Sequence, residues 1–349
     1  MNSIDIASAE GTNRTRREMI GMTLALTLGG APIATRAQST PGAMPTLRVA
    51  YAQGTQANFY YALQNGLFQK HGVKVEGTKF DSGPALVSAL VAGSVDVGYF
   101  GLPALINANA NGAKLQIFSI ANVAGKMAAL YVNPKSGIKS VKDLVGKTVA
   151  TTQNTVTHIF MHIAMKQAGV DPKSVNIKFI DPNGLVAGYV RGDLDAVWMF
   201  ASVGAKLMSN GAVLIASTSA TAIGLEDAGH FIADRDFISK NRNTLQNFLA
   251  AVDEGTPITN ASQAISLVAL DKGIGLVGDQ AKLILDQTPE AGVTSRQLAD
   301  PSYRLSLTPN GAYTRVVQEM LSMMVSLGTL KTVPTASSMI TADVVSGMK

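Results

Sequence analysis

The sequence predicts an α/β protein with two similar lobes, each built on a mainly parallel sheet, joined by a two-stranded hinge. Its 349 residues correspond to two domains at roughly 100 to 200 residues each. A strand–helix–strand–helix–strand pattern occurs twice, which is typical of parallel sheets covered by helices. The composition is 46% hydrophobic and 15% charged, without cysteine, which excludes a disordered, collagen-like or disulfide-stapled chain.

Residues 1–37 are predicted to be an export signal rather than part of the fold. Arg16 and Arg17 precede an uncharged run, residues 21–35, which ends shortly before Ala37. A charged region, an apolar core and small residues in this order are typical of a cleaved signal, and the apolar run is too short to span a bilayer. The paired arginines favour twin-arginine export, and general secretion is the alternative. We therefore expect a periplasmic protein.

The first α/β unit follows this signal. Its predicted elements are strand 47–52, helix 58–71, strand 73–80, helix 85–93 and strand 95–99. Asp81 or Ser82 is suited to cap the second helix because Pro84 lies in its first turn. The order of these elements predicts a parallel sheet.

The same pattern returns about 100 residues later with many of the same residue types. The matching pairs are Ala50 and Ala150, Gln53 and Gln153, Thr55 and Thr155, Gly83 and Gly184, and Asp96 and Asp195. Such a repeat indicates two similar lobes face to face, although any two α/β units share turn residues at similar spacing. Because Asp96 and Asp195 recur at the same place, we expect a structural role for them.

Strands at residues 127–132 and 230–233 lie at the junctions of the two units and predict the hinge. Beyond Asp234 the pattern is helical, over residues 244–252, 261–270, 279–287 and 309–327, the last helix with Thr308 as its N-cap. These helices have no lobe of their own, so we expect them to pack back on the first sheet. The predicted division is 45–130 with 234–349 for lobe 1 and 131–233 for lobe 2.

Ligands of open parallel sheets bind beyond the carboxyl ends of the strands, where helix N-termini gather. The turns at those ends are residues 53–56, 81–83, 100–103, 153–157 and 181–184. Around Ser82 and Thr155 they contain hydroxyls and glycine without lysine or arginine, which suits a small anion such as a sulfonate, nitrate or carboxylate. The alternative is that these residues only cap helices. Trp198, the one tryptophan, is expected to form a cleft wall or to pack in the core.

Signals of catalysis are weak. Residues 273–278 match the glycine spacing of a dinucleotide-binding loop, but they follow a helical stretch instead of a strand. His158 and His162 are four residues apart on a helix without a third metal ligand, so we expect His158 to line the cleft and His162 to lie on the surface or pack. We expect no enzyme activity, no metal and no cofactor. Because part of the net charge of +5 lies in the export signal, we also expect no nucleic-acid partner.

Five short motifs occur in order along the chain. They are Lys79-Phe80-Asp81-Ser82-Gly83, Gly101-x-Pro103-Ala104, Val141-x-Asp143-Leu144-x-Gly146-Lys147-x-Val149-Ala150, Thr155-x-Thr157-His158 and Arg191-Gly192-Asp193-Leu194-Asp195-Ala196. Together they resemble the taurine and aliphatic-sulfonate periplasmic binding proteins, over residues 47–237 and more loosely beyond. The resemblance implies a type II periplasmic-binding fold, whose two lobes close on a small organic anion. It further implies an ABC permease as partner, and we expect the protein itself to be a monomer.

Carried over by position, the resemblance implies ligand contacts from Gly54, Thr55, Gln56, Asp81, Ser82, Gly101, Leu102, Thr155, Thr157 and His158, with Trp198 and Phe200 as cleft walls. Two departures bear on the ligand. Family members often carry proline after the tryptophan, where this chain has Met199. An aspartate common before the second hinge strand is altered or shifted at Glu226 and Asp227. If that carboxylate normally holds an amine, the ligand need not be taurine, and a plain alkanesulfonate or another small organic anion stays open.

Two other classes resemble this fold. An enzyme or binding protein for thiamine-type pyrimidine precursors would need a reactive histidine or lysine in the cleft, and His158 is the candidate. A ligand-sensing regulatory domain is disfavoured because a signal peptide, and no DNA-binding helix-turn-helix, precedes the lobes. The receptor is therefore the function that the sequence favours.

Overall fold

Two five-stranded sheets with the same strand order carry the fold. In chain order the strands are β1 (Thr46–Tyr51), β2 (Lys74–Lys79), β3 (Val97–Phe100), β4 (Leu115–Val123), β5 (Ala128–Val132), β6 (Thr148–Thr151), β7 (Asn176–Phe179), β8 (Ala196–Phe200), β9 (Val213–Thr218) and β10 (Ala228–Asp234). The first sheet has the order β2-β1-β3-β10-β4 and the second β7-β6-β8-β5-β9. In each sheet four strands run one way and one, β10 or β5, runs against them.

This computed structural model describes residues 44–51, 56–123, 128–218, 228–275, 282, 285, 292–330 and 332–348. They belong to one compact unit that spans Gly42–Lys349. The predicted export signal lies outside the described residues, as do Gly54, Thr55, Glu226, Asp227, part of the 273–278 glycine run and most of the predicted helix 279–287. Among the described helices, none is long and apolar enough to cross a membrane.

Helices cover both sheets. In chain order they are α1 (Ala57–Gln64), α2 (Leu67–Lys70), α3 (Gly83–Val91), α4 (Leu102–Ala110), α5 (Val156–Gln167), α6 (Pro182–Arg191), α7 (Ala201–Ser209), α8 (Arg235–Lys240), α9 (Arg242–Ala261), α10 (Gln263–Ile274), α11 (Ser295–Ala299) and α12 (Ala312–Ser326). In both sheets the first three parallel strands alternate with helices, so the repeat seen in the sequence is also a repeat of topology.

Asp96 and Asp195 hold equivalent places in the two sheets. The Asp96 carboxylate accepts the backbone N–H of Arg48 in β1 at 2.9 Å, and the Asp195 carboxylate accepts that of Thr148 in β6 at 2.8 Å. Each aspartate also donates its own N–H to the carbonyl of the same residue, at 2.8 and 3.0 Å. The two carboxylates therefore tie the third strand of each repeat to the first, which is the structural role expected from their spacing.

The two strands predicted at the hinge are inner strands of the sheets. β5 pairs antiparallel with both β8 and β9, and β10 pairs antiparallel with both β3 and β4. The strand His230–Ala233, which the prediction grouped with residues 131–233, is thus part of the first sheet. Its side chains are buried, as expected for an inner strand. β4 and β5, like β9 and β10, belong to different sheets, and the residues between them, 124–127 and 219–227, lie outside the described residues.

The helices that follow the second unit pack on the first sheet. Phe248 in α9 meets the ring of Phe231 in β10 at 5.0 Å and stacks on Phe68 of α2 at 5.2 Å between ring centroids. Farther along, Tyr313 in α12 bonds to the buried ring of His230. Buried aromatic side chains contribute strongly to the stability of a protein core. These contacts therefore hold α9 and α12 against β10 in the first sheet.

Several helices begin or end at places other than those predicted; α9, for example, continues to Ala261. Two of these differences have a clear local cause. The predicted helix 58–71 is split into α1 and α2 because Gly66 adopts a left-handed φ of 69°, a conformation that glycine tolerates and that ends a helix. The last helix has Gly311 as its N-cap instead of Thr308. Asn310 with φ 64° forms a turn before it, in which the Gly311 N–H donates to the Thr308 carbonyl at 2.7 Å.

Candidate functional site

A small cavity lies between the two sheets, at the carboxyl ends of their parallel strands. Its volume is about 40 Å³, which is room for about one water molecule. The first repeat contributes Asp81, Ser82 and Gly83, and the second contributes Thr152, Thr155, Pro182, Met199, Phe200, Ser202 and Val203. Because both repeats supply walls, a change in the separation of the two sheets would change the size of the cavity.

Four helix N-termini meet at this cavity. They are those of α3 (N-cap Ser82), α5 (N-cap Thr155), α6 (N-cap Asp181) and α7 (N-cap Phe200). The first N–H groups of a helix have no partner within it, and each N-terminus carries a partial positive charge of about half an elementary charge. Such ends are ready-made anion-binding sites. The helices converge because each follows directly on a parallel strand. α3 follows β2 of the first sheet, and α5, α6 and α7 follow β6, β7 and β8 of the second.

The caps of these helices differ in a way that matters for binding. The Thr155 hydroxyl accepts the His158 N–H at 3.4 Å and donates to the Thr152 carbonyl at 2.7 Å. By contrast, Ser82, which is 8% exposed, makes no side-chain cap bond to α3. The Ser82 hydroxyl and the N–H groups of the first turns are therefore the donors that a ligand can use.

A chain of threonine hydroxyls supports the second half of the cavity. Thr157 lies 2.7 Å from Thr155 and 3.1 Å from Thr151 between hydroxyl oxygens. Thr152 donates to the Ile180 carbonyl at 2.9 Å, which joins the end of β6 to the turn before α6. Thr157 is completely buried, so it fixes the positions of the α5 N-terminus and of Thr155 from behind the cavity wall.

The polar groups that line the cavity are not cationic. Within the part of the chain that the structure describes, no lysine, arginine or histidine lines it, and the one ionisable side chain there is the exposed carboxylate of Asp81. An anion at this place would be held by N–H and hydroxyl dipoles, as the sequence predicted for Ser82 and Thr155. The Asp81 carboxylate lies at the edge, where it can meet a positive group of a ligand.

The predicted contacts from the first repeat are only partly brought together. Asp81 and Ser82 line the cavity, and Gly54 and Thr55 lie outside the described residues. Gln56 is fully buried and donates to the Tyr60 hydroxyl at 3.2 Å, while its side-chain oxygen has no partner within the described chain. Gly101 and Leu102 lie at the start of α4 and are not among the lining residues. A Cβ at Gly101 would lie 3.4 Å from Val156 of α5, so this turn forms a contact between the repeats.

His158 lies behind the site instead of in its lining. The side chain is 4% exposed, and its ring packs edge-on against Phe179 at 4.9 Å and His162 at 5.0 Å. Burial, with the nearby His162, lowers the pKa of His158 to about 4, so the ring is neutral near pH 7. No group of three or more histidine, cysteine or acidic side chains that could hold a metal occurs within the described residues.

Trp198 and its neighbours on β8 are divided between two environments. Trp198 is fully buried, with its indole N–H unpartnered within the described chain, and belongs to the core on the α5 side. Met199 and Phe200 line the cavity. Successive residues of a strand point to opposite faces, and in β8 both faces are buried. The sequence predicted Trp198 and Phe200 as cleft walls, with core packing as the alternative for Trp198. Thr152, Ser202 and Val203 also line the cavity but were not predicted, although their positions beside strand ends were an available signal.

A family model described as NMT1/THI5 like matches residues 53–264, which is more than half of the chain. This chain belongs to the NMT1/THI5-like family. Among relatives, the taurine-binding periplasmic protein of Escherichia coli (strain K12) is 29% identical over 210 residues, covering 60% of this chain and 65% of that protein. A putative aliphatic sulfonates-binding protein of the same strain is 28% identical over 306 residues, covering 84% of this chain and 93% of that protein.

A solved structure supports the same grouping at the level of fold. The alkanesulfonate-binding protein SsuA from Xanthomonas axonopodis pv. citri bound to MOPS matches this NMT1/THI5-like protein with a TM-score of 0.72 at 21% identity. The match covers 84% of this chain and 97% of that chain. The predicted type II periplasmic-binding fold, with two α/β lobes on mainly parallel sheets, is therefore confirmed.

Proposed function

We propose that this protein is the periplasmic solute-binding receptor of an ABC importer. It captures a small organic anion, taurine or an aliphatic sulfonate, between lobe 1, which contains the first sheet, and lobe 2, which contains the second. It then delivers the anion to the permease as a monomer. The convergence of four helix N-termini on one cavity between the sheets carries the proposal. The relatives named as taurine- and sulfonate-binding periplasmic proteins support it.

The chemistry of the lining favours a singly charged oxyanion. The hydroxyls of Ser82 and Ser202, together with first-turn N–H groups, offer neutral donors around a space that no described lysine, arginine or histidine lines. Partial charges of this kind stabilise an anion by about 0.3–1 kcal/mol each at exposed ends and more when partly buried. A sulfonate spreads one charge over three oxygens, so several weak donors satisfy it better than one lysine would. The Asp81 carboxylate at the edge keeps both an amine-bearing and a plain sulfonate open.

The mechanism follows from the size and position of the cavity. At about 40 Å³ it is far below the roughly 300 Å³ or more of drug-sized ligand pockets, so entry requires the lobes to separate. Closure is then driven by contacts that the ligand makes with both lobes at once. Ser82 would hold the anion from lobe 1, and Thr155 with the α5 N-terminus would hold it from lobe 2. The permease would reverse this step by opening the lobes.

The same site argues against catalysis. His158 lies behind the lining and is neutral near pH 7, so the reactive histidine that a pyrimidine-precursor enzyme would need does not face the cavity. We propose that the protein is not an enzyme and that residues 1–37 export it, by the twin-arginine route, before cleavage.

Thermal unfolding of the mature chain, without residues 1–37, tests the proposal. Taurine, alkanesulfonates, nitrate, sulfate and a thiamine-type pyrimidine are added separately. A ligand at 100 times its Kd should stabilise the folded state by about 2.7 kcal/mol. We expect this stabilisation with sulfonates. Stabilisation by nitrate or by the pyrimidine alone would refute the sulfonate assignment, and no response to any of them would refute the receptor.

Two matched variants connect the response to the site. Thr155→Ala removes the cap of α5 at the cavity. Thr294→Ala removes an equivalent cap of α11, in which the Thr294 hydroxyl accepts the Gln297 N–H at 3.4 Å. Thr294 does not line the cavity. Both should lower stability by about 1 kcal/mol. Only Thr155→Ala should also weaken the ligand-induced stabilisation; an equal loss in both variants would place the ligand elsewhere.

A further inference from the structure

The cavity has an apolar side that the anion does not use. We give this name to the four apolar side chains of the second repeat that line the cavity, Pro182, Met199, Phe200 and Val203, which lie beside the hydroxyl residues Ser82, Thr155 and Ser202. A ligand whose charged end lies at the helix N-termini would thus place its carbon chain against these apolar side chains. The space on that side decides how long the chain can be.

Met199 is the flexible member of this apolar side. It is 2% exposed, and its sulfur lies 3.8 Å from the Thr157 hydroxyl and 3.9 Å from that of Thr152. It belongs to the same hydrophobic core cluster as Leu185 of α6 and Leu207 of α7. The Met199 side chain therefore fills the gap between the α5 N-terminus and the core beneath α6 and α7. An unbranched thioether with three rotatable bonds adapts its shape more readily than a branched side chain.

We propose that Met199 sets the chain length of the ligand, so that the site takes monoanions with a short aliphatic chain and excludes longer ones. This inference rests on the proposed function. Because the cavity has room for little more than one water molecule, each added methylene must displace the Met199 side chain toward Leu185 and Leu207. That core is packed, so the displacement becomes costly after a short chain.

The test is the affinity of the mature protein for straight-chain alkanesulfonates of one to eight carbons, measured by titration calorimetry. One methylene in an apolar pocket changes binding by about 10- to 200-fold. We expect the wild type to prefer short chains and Met199→Ala to raise the ratio of long-chain to short-chain affinity by at least about tenfold. Met199→Leu, which keeps the volume, should preserve the wild-type preference. If Met199→Ala does not fold, Met199→Val should give a smaller shift in the same direction.

Leu144→Ala is the matched control. Leu144 is fully buried, but it belongs to a different core cluster from Met199 and does not line the cavity, so its truncation should lower stability and leave the chain-length ratio unchanged. An unchanged ratio in Met199→Ala, with short sulfonates still bound, would overturn the inference and leave the receptor standing. An equal shift in Leu144→Ala would also overturn it, because a general loss of stability would then explain the change. A wild type that binds none of the series would overturn both the inference and the sulfonate receptor.

Discussion

His230 should make the stability of this protein depend on pH between about 4 and 6.5. Its ring is fully buried between β3 and α12. The Nδ1–H donates to the Phe100 carbonyl at 3.0 Å, so that Nε2 accepts the hydroxyl of Tyr313. Burial lowers the pKa of His230 from 6.5 to about 4, because a buried ring loses the hydration that stabilises its charged form.

The magnitude follows from the two pKa values. In the unfolded chain the histidine takes up a proton near pH 6.5, whereas the folded protein resists protonation down to about pH 4. The unfolded state therefore binds more protons in this window, and the free energy of unfolding falls as the pH falls from 6.5 to 4. The total loss is about 3 kcal/mol, at 1.36 kcal/mol per pKa unit, of which about 2 kcal/mol is lost by pH 5.

Urea unfolding of wild type and His230→Gln at pH 7.5 and pH 5.0 measures this contribution. The wild type should be the more stable protein at pH 7.5, and its advantage should shrink by about 2 kcal/mol at pH 5.0. The buried His158 titrates in the same window, but it is present in both proteins and cancels. Tyr313→Phe, which removes the hydroxyl partner and keeps the imidazole, should retain most of the wild-type pH dependence. An advantage that is equal at both pH values would refute the reasoning.

Further predictions concern the packing of the two repeats. Asp96→Asn and Asp195→Asn each weaken the acceptor of a strand N–H and should each cost about 1–3 kcal/mol in urea unfolding. Asp193→Asn, whose carboxylate makes an exposed ion pair, should cost about 1 kcal/mol or less, and an equal cost would contradict the structural role of the other two. Gly204→Ala would place a methyl group inside the ring of Tyr131 and should lower the free energy of unfolding by about 1–3 kcal/mol or more. Adding Tyr131→Leu should recover part of that loss in thermal melts; no recovery would show that the ring is not the obstacle.

Much of the fold could be read from local patterns. The two strand–helix repeats, the structural role of Asp96 and Asp195 and the cap at Thr155 were all predictable. Each depends on residues close in sequence or on spacing that recurs. The region of the site was also predictable, because ligands of parallel sheets meet helix N-termini at the carboxyl ends of strands. Ser82 and Thr155 were found for that reason.

The lining of the cavity required the tertiary structure. Along β8 both faces are buried, so no polar alternation shows that Met199 faces the cavity while Trp198 faces the core. Likewise, His158 has the spacing of a cleft residue but is turned toward Phe179, since the packing of α5 on the second sheet decides which face of the helix meets the ligand.

Sequence alone determined that this chain forms two α/β repeats with hydroxyl-capped helices, because strand and helix periods and caps are local properties of the chain. Only the tertiary structure decided that β5 and β10 are inner strands of the two sheets, that four helix N-termini share one cavity, and that Met199 closes its apolar side. These features join residues far apart in sequence. Their positions depend on which buried faces of strands and helices pack together. The local pattern of residues along the chain does not contain that information.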